Sequence, residues 1–271
     1  MKLSPRSVWV VLLTAVAAVW LLPLYTMLAT SLKTMREIAT GQYILPPREF
    51  ALQNYRVALD TLRYGLVNST LVALPATALA VLLGSWAGFF LSRLRFRPAQ
   101  AIFFLATIAT FLPYQIVLIP LTQLLSALHL INTRPGLIVA YLLLTTPMAA
   151  LITATFFQTV PMELQEAATL DGCGPSTFYW RILLPAARLG IISTAILIFT
   201  LVWNEFLIPT AMTQGTLNQL ATPVLAGLKG NYAQLWHIQM AGATLTSLPP
   251  LMIFVVLGRY FVSGLMAGTL K

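Results

Sequence analysis

Charge is what this sequence has least of: 8% of its 271 residues are Asp, Glu, Lys or Arg, against about a quarter in soluble domains. With 58% hydrophobic residues and a mean hydropathy of +0.83, composition excludes an ordinary water-soluble globule and places the chain in a bilayer. The single cysteine, Cys173, excludes an intramolecular disulfide, and no second thiol or nearby histidine offers it a zinc site or a catalytic base. Two histidines are present, His129 and His237; both fall in expected external loops and neither has a serine or cysteine partner in a nucleophile motif. No G-x-x-x-x-G-K-[ST] loop occurs, and Gly172-Cys173-Gly174 lacks both the length and the lysine for holding phosphate. The chain is therefore read as a non-enzyme, with no catalytic residues and no cofactor or metal site of its own. The net charge of +9 is scattered around apolar runs without a dense stripe, which makes membrane lipid the expected partner and not nucleic acid.

What is there is a series of apolar runs. Lys2 and Arg6 precede about 22 uncharged residues from Val8 to Ala29, longer than the 7 to 15 of a signal peptide's apolar region and enough to span about 30 Å. Thr30 to Tyr64 is polar and broken, with eight charges, and reads as an external loop carrying a short helix near Leu52 to Leu62. Further spans follow at about Gly65–Leu91, Ala99–Leu125, Gly136–Phe157, Gly190–Met212 and Met240–Val262. The expected fold is all-α, with six transmembrane helices and both termini on one side. The expected organisation is residues 1–64 as first helix and external loop, 65–262 as a five-helix core with a cytoplasmic loop at 158–189, and 263–271 as a cytoplasmic tail. Nine basic residues then fall inside and seven outside; the Arg93-Leu-Arg95-Phe-Arg97 turn and the amino terminus set the direction, termini cytoplasmic.

The polar island at Pro161–Pro185 interrupts this pattern. Three of the seven acidic residues, Glu163, Glu166 and Asp171, lie within nine positions of it. Pro161 suits a first helical residue, and the early glutamates complement the exposed N–H groups of a helix start. Leu164, Ala167 and Ala168 share one face, the alanines allowing close approach by another surface. Gly172 is the expected residue of positive φ that ends the helix at Asp171. A second short helix, Ser176–Leu184, is expected to stop at Pro185. The segment reads as a helix, a sharp turn and a helix outside the bilayer.

Glu166-Ala167-Ala168, three further residues to Gly172, then an aromatic and aliphatic stretch to Leu184-Pro185 closely resembles the EAA loop of importer-type ABC permeases. Asn68-Ser69, Arg93-Leu-Arg95-Phe96, Asn132-Thr133 with Gly136-Leu137, Trp203-Asn204-Glu205-Phe206 and Arg259-Tyr-Phe-Val262 through Ala267-Gly268 resemble the shorter, six-span partner of the maltose-type carbohydrate importers. Cys173 departs from the alanine usual after the glycine, and Glu205 from a common aspartate. The resemblance implies a type I importer permease fold and an alternating-access role in moving a sugar or sugar-like solute across the cell membrane. It implies a second permease subunit in a heterodimer, two ATPase subunits that bind the ATP and Mg, and an extracytoplasmic solute-binding protein that contacts the Thr213–Gln239 loop. It places Glu166, Ala167, Ala168, Asp171 and Gly172 at the ATPase-coupling turn, closed by Ile182, Leu184 and Pro185.

Glu205 is the one carboxylate inside an apolar span, where charge marks a pathway or a partnered structural site. Two readings stand: it lines the path beside Asn204, or it pairs with an arginine or a backbone donor at a helix break near Pro209. The alternatives to sugar import are an importer of the same type for a solute such as glycerol phosphate, and an ion-coupled carrier that uses Glu205.

Overall fold

The computed structural model describes residues 5–41, 43–93, 98–111, 113–215, 217–228 and 235–269. No strand occurs among them. The helices are α1 (Pro5–Ser31), α2 (Met35–Ala39), α3 (Gln53–Arg93), α4 (Ala99–Phe111), α5 (Gln115–Ala127), α6 (Arg134–Thr159), α7 (Met162–Leu170), α8 (Pro175–Phe178), a π-helical turn at Tyr179–Leu183, α9 (Leu184–Ala186), α10 (Arg188–Asn204), α11 (Leu207–Met212), α12 (Ala221–Gly227) and α13 (Trp236–Thr269). Among the described residues four helices are long and apolar enough to cross a membrane, and the number reaches six when two bent pairs, α4 with α5 and Pro175–Ala186 with α10, each count as one span. A bilayer offers backbone groups no water, so helices that satisfy their own N–H and C=O groups are the solution this composition permits.

Several sequence expectations are corrected. The short helix near Leu52–Leu62 is the first part of the 41-residue α3; nothing between Leu62 and Leu66 breaks the helix, and one polar turn does not end an otherwise apolar run. The third span is two legs, α4 and α5, bent by 100°, with Pro113 between them. The fifth span breaks after Asn204 and resumes as α11. The loop expected at 213–239 contains α12, and α13 starts at Trp236, so His237 is a buried helical residue and not a loop residue. α13 runs on through Thr269, into the residues expected as the tail, and does not bear on which side they lie. Arg95 and Arg97 of the basic turn lie outside the described residues.

The chain divides into two compact units, Met1–Leu66 with Ala221–Leu248, and Val67–Leu220 with Pro249–Lys271. In the first, Ala58, Leu62 and Ala241 form a small buried core flanked by Tyr55, Val224, Leu225 and Ile238. Its polar connection after α1 is held by a capping box: Thr34 N–H donates to Glu37 Oε2 at 3.0 Å and Glu37 N–H to Thr34 Oγ1 at 3.4 Å. The other Glu37 oxygen takes Arg48 N–H at 2.8 Å. These backbone donors, Arg48 first and then Thr34, hold the Glu37 carboxyl below the ordinary carboxylate range. Lys33 is buried and donates Nζ–H to Tyr43 O at 3.0 Å; burial lowers its pKa.

In the second unit α6 packs against α4, α10 and α11. The approach of α3 to α6 rests on Gly84-Ser-Trp-Ala-Gly88. A Cβ on Gly84 would lie 2.6 Å from Ala149 Cβ, and one on Gly88 would lie 2.6 Å from Thr153 Oγ1 and 2.8 Å from Ala150 O. Small residues four apart let helix backbones meet where the surrounding lipid supplies no hydrophobic drive. Asn68 of the resemblance motif is buried; its Nδ2 donates to Leu217 O at 2.7 Å and Gln219 O at 3.0 Å, and Oδ1 accepts from Arg134 Nε at 3.0 Å. Asn132 adopts φ +60° and its Oδ1 accepts Gln214 N–H at 2.8 Å. Thr133 caps α6 through Gly136 N–H at 3.1 Å.

Candidate functional site: an anchored helical handle and a broken span

α6 ends at Thr159, and the extended residues Val160 and Pro161 turn the chain into α7. Pro161 is the cap and Met162 the first helical residue, one position later than expected. At the other end Gly172 has φ +79°. Its N–H donates to Thr169 O at 3.0 Å, and Cys173 N–H to Ala168 O at 2.8 Å. That pair of bonds is a Schellman motif, in which a glycine takes the left-handed position at no steric penalty.

The second arm is not one α-helix. α8 passes into the π turn, where Leu184 N–H donates to Tyr179 O, and α9 then carries Pro185 inside the helical path. Pro185 does not terminate the arm as expected: the wider π turn just before it relieves the clash between a proline ring and the carbonyl four residues back.

One side of this segment is fastened to the chain's own core. Ala168, Phe178, Tyr179, Leu183 and Ala187 are buried with Phe89, Phe157 and Val160. The Tyr179 ring lies 5.4 Å from that of Phe89 and 6.3 Å, edge-on, from that of Phe157. Its phenol shares a 2.7 Å hydrogen bond with Ser85 Oγ. Ala168 therefore faces inward, and Ile182 and Leu184 are half-buried against the same cluster. The other side is bare: Glu163, Leu164, Glu166, Ala167, Asp171, Gly172 and Pro185 are exposed. Leu170, which is not among the expected coupling residues, is 89% exposed at the tip beside the Gly172 turn. Its signal was an apolar residue at i+3 from Ala167 on the face opposite the buried Ala168.

Glu205 sits at the break between α10 and α11 and ties three elements together. One carboxylate oxygen accepts Leu207 N–H and the Tyr114 phenol, each at 2.8 Å; the other accepts Ile208 N–H at 2.8 Å and lies 3.5 Å from Tyr141 OH. The carboxylate thus takes up backbone donors at the start of α11 and receives a phenol from the other broken span, where Tyr114 precedes α5. Glu205, Tyr114, Tyr141, Thr110, Thr145 and Met148 are among the walls of a cavity of about 470 Å³. Asn204, expected beside it, is exposed and turns its amide back to Thr200 O at 2.9 Å. Among the described residues no group of three or more His, Cys, Asp or Glu side chains could hold a metal ion.

Several long apolar helices, with breaks in the helical path, and a polar helical segment with an exposed tip define a multi-pass membrane protein. The chain belongs to the family of binding-protein-dependent transport system inner membrane components, whose family model matches residues 80–266. It is 32% identical over 262 residues to the glucose import system permease protein GlcU of Saccharolobus solfataricus, covering 94% of this chain and 91% of that one. It is 30% identical over 267 residues to the trehalose transport system permease protein SugB of Mycobacterium tuberculosis, with 97% of each covered. Its fold matches a chain from the crystal structure of a bacterial ABC transporter involved in the import of the acidic polysaccharide alginate. That match has a TM-score of 0.79 at 17% identity and covers 96% of this chain and 100% of the other.

Proposed function

We propose that this permease is one of a pair of membrane subunits in an ATP-driven, binding-protein-dependent importer of a sugar or sugar-like solute. The glucose and trehalose systems of its relatives support the solute class. The observation that carries the mechanism is the handle's two-sidedness: a bare tip of Leu170, Asp171 and Gly172 on a base buried in the chain's own core. An exposed leucine beside a sharply turned, fully capped helix end gains from burial against a partner, and it lies on the polar segment outside the apolar spans, which supports reading the tip as a docking feature.

In this reading each of two separate ATPase subunits, which hold ATP and Mg²⁺, receives one permease handle in a surface cleft. Closure of the ATPases draws the handles together, and the anchored base passes the displacement to α3, α6 and α10, so that the solute path opens toward a docked binding protein outside. Glu163, Glu166, Ala167, Leu170 and Asp171 form the contact face; Ala168, Ile182 and Leu184 hold the handle to the membrane helices. The handle and both termini lie on the cytoplasmic side. An ion-coupled carrier working through Glu205 is less well supported, because both of its oxygens already accept backbone N–H groups.

The test is to copurify the chain with its partner subunits, reconstitute them in proteoliposomes, and titrate the binding protein with sugars. Leu170→Asp and Gly172→Val are expected to leave insertion intact and to lower uptake per ATP hydrolysed. Wild-type uptake and coupling in either variant would remove the docking reading, and uptake that follows an ion gradient and ignores ATP would remove the importer reading.

A further inference from the structure

By sequence Arg93 is one of three arginines that orient the chain and the first residue of the Arg93-Leu-Arg95-Phe96 resemblance motif. Its position is more specific. It is the last residue of α3 and is buried, at 6% exposure. Nη2 donates to two backbone carbonyls, Phe157 O and Val160 O. Those carbonyls belong to the end of α6 and to the corner that leads into the handle. Nη1 lies 3.3 Å from Met162 Sδ, at the first residue of α7, and the Arg93 carbonyl accepts Gln165 Nε2 at 3.4 Å, one turn along α7. One side chain and its own carbonyl therefore reach the end of α6, the corner and the first two turns of the handle.

Two more residues on the same face of α3 reach the handle's second arm. Ser85, Phe89 and Arg93 recur every four positions, a spacing that lines them along one helix face. Ser85 bonds the Tyr179 phenol, Phe89 packs on the Tyr179 and Phe178 rings, and Arg93 holds the entry corner. Just beside this stripe, Gly84 and Gly88 bring α3 against α6 at backbone distance. A planar guanidinium can bridge two carbonyls at a fixed angle, which a lysine ammonium does without that rigid fork. The helix end also presents partial negative charge to the cation.

We propose that Arg93 is a positioning residue of the coupling step: it locks the handle's entry corner to α3, so that displacement of the handle moves α3 and α6 as one lever. Without this lock the Val160–Pro161 corner flexes and handle motion is dissipated there. The inference rests on the reading of the handle as the ATPase-docking segment.

The experiment compares wild type, Arg93→Lys, Arg93→Gln and Gly172→Val in the complete reconstituted transporter. It reads complex yield, the KM for ATP, hydrolysis stimulated by solute-loaded binding protein, and solute moved per ATP. Arg93→Gln is expected to assemble with unchanged KM and to lose about tenfold in solute moved per ATP, within the roughly 5- to 150-fold range typical of coupling between distant sites. Arg93→Lys, which keeps the charge and reaches the carbonyls without the fork, is expected to recover part of that loss. If Gly172→Val uncouples while both Arg93 variants keep the wild-type ratio, the lever is wrong and the docking reading stands. If Gly172→Val keeps the wild-type ratio, the docking reading itself fails and the lever falls with it. Failure of both Arg93 variants to assemble also overturns the proposal, since the residue would then serve folding alone.

Discussion

Replacing Glu205 with alanine removes the acceptor that holds both broken spans in register, and the consequences can be estimated donor by donor. The Leu207 and Ile208 N–H groups lose their cap, which at a helix start is worth about 0.5–2 kcal/mol. Both groups lie within the fifth span, where no bulk water replaces the lost acceptor, and Ile208 is 2% exposed. The Tyr114 phenol loses a hydrogen bond to a charged acceptor, worth about 1.5–3 kcal/mol. The 3.5 Å approach of Tyr141 is too long to add a comparable amount. The sum is about 2–5 kcal/mol, or a fall in Tm of about 4–10 °C at roughly 2 °C per kcal/mol for a chain of this size. Glu205→Gln keeps two acceptor lone pairs on one oxygen and sets an NH₂ against a donor, so it should lie between alanine and wild type. The assay is thermal unfolding of the purified complex in detergent, followed by a double-mutant cycle with Tyr114→Phe. A cycle coupling energy near zero, or a wild-type Tm for Glu205→Ala, would refute the view that this carboxylate joins the two breaks.

Gly88→Val should force α3 away from α6, because its Cβ would meet Thr153 Oγ1 at 2.6 Å and backbone atoms of Ala150 and Ala154 at 2.8 and 3.0 Å; the expected loss is about 1–3 kcal/mol, read as a lower Tm, with Gly258→Ala, where a Cβ has only ordinary contacts, as the near-neutral control. Tyr179→Phe deletes the hydroxyl bonded to Ser85 and keeps the ring, so it should cost about 1 kcal/mol and leave assembly intact; hydrogen exchange at Phe178–Leu183 checks whether the handle base loosens. The capping box of the first loop should respond to acid. The folded Glu37 carboxyl titrates below its ordinary value because of the Arg48 and Thr34 N–H groups, so its contribution is complete above the ordinary carboxylate range and is lost as pH falls through the depressed folded value. Limited proteolysis of residues 32–50 across that range should show cleavage rising toward acid in wild type and a flat response in Glu37→Gln.

The features legible in the sequence were those with a local cause. Gly172 was readable as a helix stop because only a positive φ fits there, and the bond from Cys173 to Ala168 bears this out. Glu205 was readable because a carboxylate in an apolar span needs donors, and the backbone at the break supplies two. Partners distant in sequence were not legible. Ala168 and Ala167 are adjacent and identical, and only the Phe89–Phe157–Tyr179 cluster decides that the first is buried and the second bare. Gly84 and Gly88 read as two small residues in an apolar run until Ala149 and Thr153 are seen against them. Arg93 looked like a topology signal because its acceptors lie more than 60 positions away. Pro185 gave a false stop, since a π turn placed ahead of a proline leaves no mark in the residue pattern.

The central claim is that the exposed tip of the handle meets a separate ATPase. A photoreactive amino acid at Leu170 in the assembled transporter tests it directly, with the same group at Leu12, exposed on α1 within its apolar run, as the comparison. Crosslinking of the ATPase subunit from position 170 and not from position 12 is the predicted result. An assembled, transport-competent complex in which position 170 crosslinks to the solute-binding protein, or to nothing, would contradict it.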